Sequence, residues 1–116
     1  MPNTTVNSVY PEGQTYFVSA NTTSTSVNVT ANGNSVNLLY VENLDLNNDV
    51  FVAYTTQPGN ITATAPTVGT PQSGVAVQNG QGRVIQISAL NQFNAFANVA
   101  VVTFGGNANV TITPVA

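Results

Sequence analysis

Cysteine, histidine, lysine and tryptophan do not occur in this chain, and arginine occurs once, as Arg83. Without Cys or Lys there is no thiol nucleophile, no disulfide and no Schiff-base amine. Without His, a serine or threonine hydroxyl lacks its usual base, and a zinc site lacks its usual donors. Acids are nearly as scarce. Glu12, Glu42, Asp45 and Asp49 complete the ionised side chains, 4% of the chain with Arg83, against about 25% in an ordinary soluble domain. Two carboxylates can hydrolyse a glycoside, but three of the four crowd into residues 42–49, a polar connection. The expectation is a protein that is not an enzyme and carries no cofactor.

The same scarcity bears on partners. A net charge of −3 with a single Arg excludes the Lys/Arg cluster that phosphate neutralisation needs, so neither nucleic acid nor an anionic membrane is an expected partner. The longest apolar runs fall well short of the roughly 20 residues that span a bilayer. The opening MPNTTVNSVY has neither a basic region nor an apolar core, so no secretory signal or anchor is expected. Asp45, Asn47 and Asp49 match the start of a calcium loop, but Val50 stands where the turn needs Gly and Thr56 where the bidentate Glu belongs. No metal site is expected there; the acids read as a solvated connection.

Polarity comes instead from Asn, Thr, Ser and Gln. These hydrogen-bond without charge, and the short ones cost little rotamer entropy to immobilise. Lys and Glu, which interfaces tend to exclude, are almost missing. Such a surface tolerates being covered.

The 116 residues suffice for one domain. Alternating or continuous apolar runs predict strands at Tyr16 to Ala20, Ser26 to Thr30, Val36 to Val41, Val50 to Thr56, Ile61 to Ala65, Val75 to Val77 and Arg83 to Ala89. Val99 to Phe104 and Ala108 to Thr113 flank Gly105-Gly106-Asn107 and predict a β-hairpin. Turn signals stand at Asn32-Gly33, Gln57 to Asn60 and Asn79 to Gly82. Leu44 and Leu46 have the spacing to plug an edge of the core, and Leu90 to Ala97 reads as a helical turn or capping loop. The prolines of residues 66–74 exclude a central strand there. The predicted fold is all-β, a single antiparallel sandwich or jelly roll of about eight strands over residues 16–116, preceded by an extended arm, residues 1–15.

From Asn43 onward the chain resembles small structural proteins that tailed bacteriophages encode near their head genes. The segments that carry the likeness are NDVFVAYTT, APTVGTPQSGVAV, GRVIQIS and NVAVVTFGGNANVTITP. The resemblance implies a decoration or cement protein, a homo-oligomer and often a trimer, bound to the major capsid protein on the outer surface of the virion's icosahedral head. On this reading Pro2, Val6 and Tyr10 of the arm and the pair Phe93 and Phe96 are the candidate subunit contacts. By themselves Phe93 and Phe96 read first as a cap over the open end of the sandwich. The rival reading is a carbohydrate-binding adhesin, tail or fibre module, with Tyr10, Tyr16, Tyr40 and Tyr54 available to stack on sugars if exposed.

Overall fold

A computed structural model of the chain describes Pro11 and residues 13–30, 38–55, 61–86 and 96–115. It contains eight strands: β1 (Tyr16–Ala20), β2 (Thr25–Thr30), β3 (Leu38–Asn43), β4 (Val50–Thr55), β5 (Val75–Val77), β6 (Gly82–Gln86), β7 (Phe96–Thr103) and β8 (Ala108–Val115). They form two antiparallel four-stranded sheets, in the orders β1-β8-β3-β6 and β2-β7-β4-β5. Strands equidistant from the middle of the chain pair with each other: β1 with β8, β2 with β7, β3 with β6, β4 with β5. A long hairpin wound into two facing sheets in this way is a jelly roll, as predicted.

Alternation decides which side chains enter the space between the sheets. Val18 and Ala20, Leu39 and Val41, Val50 and Val52, Val99 and Val101, and Val110 and Ile112 all point inward and are buried. Eight of the ten largest fully buried side chains are valines, with Leu39 and Ile112 the others. Branched residues of nearly equal size suit two pleated surfaces meeting face to face. Strands β3, β4, β7 and β8 are the middle strands of their sheets. The apolar run through Val41, and the run from Val99 that is apolar on both faces, are therefore central as expected.

The C-terminal pair is not a hairpin. β7 lies between β2 and β4, β8 lies between β1 and β3, and Gly105-Gly106-Asn107 carries the chain from one sheet to the other. Gly106 has φ +73°, in the left-handed region. Thr103 Oγ1 donates to the Gly106 carbonyl at 2.6 Å, and Phe104 N donates to the Asp49 carbonyl at 3.2 Å. The turn signal was real; what it could not specify was whether the chain stayed in its sheet. The connections from β2 to β3 and from β5 to β6 also cross, and of the seven connections only β4 to β5 stays within one sheet. Asn32-Gly33 and Gln57 to Asn60 lie outside the described residues, as do residues 87–89 of a predicted strand and 90–95 of the predicted capping loop, whose last two residues, Phe96 and Ala97, instead open β7.

Two other expectations fail. Leu44 and Leu46 do not plug the core: they are 44% and 78% exposed. Asn43 occupies the buried position at that end instead. Residues 61–65 form no strand, although they keep the predicted alternation, with Ala63 buried and Thr62 and Thr64 exposed. They pack on the outside of a sheet without joining it.

Candidate functional site

Of the five candidate contacts, Pro2, Val6, Tyr10 and Phe93 lie outside the described residues. Phe96 opens β7 opposite Thr30, and its side chain is outside the description. The described end of the predicted arm lies along the C-terminal strand. Pro11 bridges Val115, and the Thr15 and Thr113 hydroxyls are 2.8 Å apart. Tyr16 pairs with Ile112, so the arm side has two more residues than β8 between these two pairings.

The three tyrosines among the described residues, Tyr16, Tyr40 and Tyr54, are engaged with the fold; Tyr10 lies outside them. Tyr16 and Tyr54 pack against the core; the Tyr16 hydroxyl meets Thr30 Oγ1 at 2.8 Å, and Tyr54 donates to the Gln86 carbonyl at 3.3 Å. Tyr40 is half-buried, its ring against Gly82. Arg83 donates to the Ala76 carbonyl at 3.1 Å.

Four short connections, residues 21–24, 44–49, 78–81 and 104–107, are knitted together at one end of the sandwich. Asn43 is central to this network and only 1% exposed. Its Nδ2 donates to the carbonyls of Asn48 and Val77 at 2.9 and 3.2 Å, and its Oδ1 accepts from Asp45 N at 3.0 Å. A buried amide thus satisfied fixes the geometry instead of destabilising it. The acids of the calcium-like pattern serve the same end. Asp45 Oδ2 accepts from Asn47 N and Asn48 N at 2.9 and 2.6 Å, and Asp49 Oδ1 accepts from Asn79 N and Nδ2 at 2.9 and 3.0 Å. Asn48 Nδ2 reaches the Asn107 carbonyl at 2.9 Å, tying the last connection to the second. Glu42 stands apart from this group, within β3.

The two outer faces differ. On the β2-β7-β4-β5 sheet, Phe51, Ala53, Ala100 and Val102 form a second buried cluster beneath Ile61, Ala63 and Ala65. Ala63 N donates to Ser24 Oγ at 2.9 Å. A cavity of about 260 Å³ opens beside this cover, between Ala53, Tyr54 and Ile61 on one side and Ser73, Gly74 and Val75 on the other. A smaller one, about 210 Å³, lies by Arg83 and Gln78.

The outer face of the β1-β8-β3-β6 sheet is covered at one end, where Val115 beside Leu38 is fully buried, and open at the other. Phe17 stands on it 64% exposed, opposite Thr111, which is opposite Glu42. Leu44, bonded through its N–H to the Asn109 carbonyl, and Val84, 43% exposed, lie on the same face. Ser19, Asn109, Thr113 and Gln86 fill the space between, and Glu42 is the one charge among the strand residues facing this way. The sequence reading did not single out Phe17. Its signal was available: Val18 and Ala20 inward put Phe17 outward.

The chain matches no protein-family model and no curated protein sequence.

Proposed function

We propose that this protein is a non-enzymatic structural component that binds the outside of a bacteriophage icosahedral head and stabilises it by bridging major capsid subunits. The observation that carries the reading is the exposed, nearly uncharged part of the sheet face around Phe17. Apolar side chains held out to water, spaced by hydroxyls and amides, suit a protein partner. Covering an exposed Phe contributes about 1.5–3 kcal/mol, and aromatic anchors dominate such contacts. Many weak contacts repeated around a symmetric shell add through effective concentration. The jelly roll, an architecture that recurs in viral capsid proteins, adds support by analogy of fold alone.

The experiment is the copy number of this protein relative to the major capsid protein in purified particles, by quantitative mass spectrometry, for the wild type and Phe17→Glu. The expected outcome is a wild-type ratio of the same order as the shell protein and an at least tenfold lower ratio for the variant. Absence of the wild type from particles overturns the reading.

Exposed Phe17 beside Ser19, Asn109 and Thr111 also favours a second reading. A ring flanked by neutral hydrogen-bonding groups suits a sugar, and jelly rolls occur in lectin domains. Glycan-array binding that is lost in Phe17→Ala would select it.

A further inference from the structure

Each sheet has two outermost strands, and an unpaired strand edge is a template for another chain. Three of the four are guarded. β1 is preceded by Pro11, which bridges Val115 of the neighbouring strand. β5 is three residues long, and β6 carries Arg83, whose guanidinium crosses to the Ala76 carbonyl of β5. Short length, proline, bulges and inward cations are the usual means of blocking edge pairing.

β2 has none of these. It is six residues, TSVNVT, without charge or proline, and it pairs with β7 in unbroken register from Thr25 to Thr30. Thr30 N donates to the Tyr16 hydroxyl at 3.1 Å, so it points away from β7. In an antiparallel strand alternate residues send both N–H and C=O to the same side. Asn28 and Ser26 therefore also present their backbone groups to this edge, with which no strand among the described residues pairs.

The strand is also self-complementary. About Asn28 the sequence reads Ser-Val-Asn-Val-Thr, so an antiparallel copy sets Asn28 against Asn28, Ser26 against Thr30 and Val27 against Val29. Polar residues then meet polar residues on the outer face, valines meet valines on the core face, and no like charges oppose.

We propose that two copies of this chain associate through their β2 strands across a two-fold axis at Asn28, joining the β2-β7-β4-β5 sheets into one eight-stranded sheet. The Asn28 residues exchange both backbone hydrogen bonds, and Ser26 N donates to the Thr30 carbonyl of the second copy. Thr30 N, held by Tyr16 in the single chain, is released to the Ser26 carbonyl of the second copy. Such an interface is isologous and closes on itself. It covers little more than a strand edge, so it is weak in solution and gains strength where copies are held close together. This inference does not depend on the shell reading.

The test is sedimentation equilibrium over a concentration series reaching the millimolar range, with the double variants S26K/T30K and S26E/T30E. Wild type should approach twice the 12.0 kDa protomer mass. In the register above, residue 26 faces residue 30 of the second copy, so each double variant should self-associate at least tenfold more weakly. An equimolar mixture of the two should recover the wild-type dimer, which also shows that both fold. S26K alone, which leaves the contact between Tyr16 and Thr30 intact, should weaken association in the same direction. A wild type that stays at one protomer mass overturns the proposal, as does assembly to any mass that the variants leave unchanged. A three-protomer mass indifferent to these charges would remove the β2 pairing and leave the shell reading standing.

Discussion

On the β2-β7-β4-β5 sheet the outward residues Phe51, Ala53, Ala100 and Val102 are buried beneath the chain's own residues 61–65, while on the other sheet Phe17 stands in solvent. The strands explain the difference. β4 and the middle of β7 are apolar at consecutive positions, so whichever face enters the core, the other needs a cover. β8 alternates Val110 and Ile112 with Asn109, Thr111 and Thr113, and needs none. The apolar positions that break this rule on that sheet divide: Val115 at one end is buried, whereas Phe17, Leu44 and Val84 stay exposed and are open to a partner.

The sharpest way to break this comparison is to remove one ring from each face. Phe51→Ala should lower unfolding free energy by about 3–5 kcal/mol, because the ring is buried and its loss leaves a cavity under the cover. Phe17→Ala should change it by no more than about 0.5 kcal/mol, as at other surface positions away from buried networks. Urea unfolding of the two variants measures both. Similar losses would mean that Phe17 belongs to the fold and is not a free anchor.

Glycines sharpen the comparison at a smaller scale. A Cβ at Gly74 would lie 2.5 Å from the Val52 carbonyl oxygen and 2.7 Å from the Phe51 ring, and its φ of +154° is one that L side chains rarely adopt. Backbone cannot step aside, so Gly74→Ala should cost about 2–3 kcal/mol. A Cβ at Gly82 on the other sheet would meet the hydroxyl end of Tyr40. The clash is with the end of a flexible side chain and not with backbone, so Gly82→Ala should cost about 1 kcal/mol, the scale of an off-rotamer side chain. Paired thermal melts give the contrast, and equal costs would show that the Tyr40 ring is as fixed as the β4 backbone.

Much of this was legible in the chain. The phase of each alternation put the right residues inward: Val18 with Ala20, Val27 with Val29, and Val50, Val52 and Tyr54 against Phe51 and Ala53. What local sequence could not reveal was sheet membership. Pairings such as Tyr16 with Ile112 span almost the whole chain, and a Gly/Asn turn signals reversal without saying whether the next strand lies beside the last or across from it. Leu44 and Leu46 misled for a related reason. Hydrophobicity favoured them as plugs, but Asn43 ends β3 on the inward side, where three hydrogen bonds outweigh its polarity. The exposed face was implicit in the alternation of YFVSA, yet exposure becomes visible only once nothing else packs there.

Whether the cover over Phe51 is a fixed layer or a strap that lifts depends on how residues 61–65 are held. They have no strand ladder, so their attachment is the packing of Ile61, Ala63 and Ala65 together with the bond from Ala63 N to Ser24 Oγ. Ser24→Ala removes the acceptor and leaves a partly buried N–H unpaired, so it should cost about 1 kcal/mol. If packing holds the cover, that cost appears as a small fall in global stability, and amide exchange at Ala63 quickens about as much as at Val101 in the core. If the hydrogen bond is the latch, exchange at Ala63 quickens while Val101 stays protected, because the segment then opens on its own. In that case the covered face is a second surface closed by a weak local equilibrium, and its difference from the exposed face is a matter of roughly 1 kcal/mol rather than of architecture.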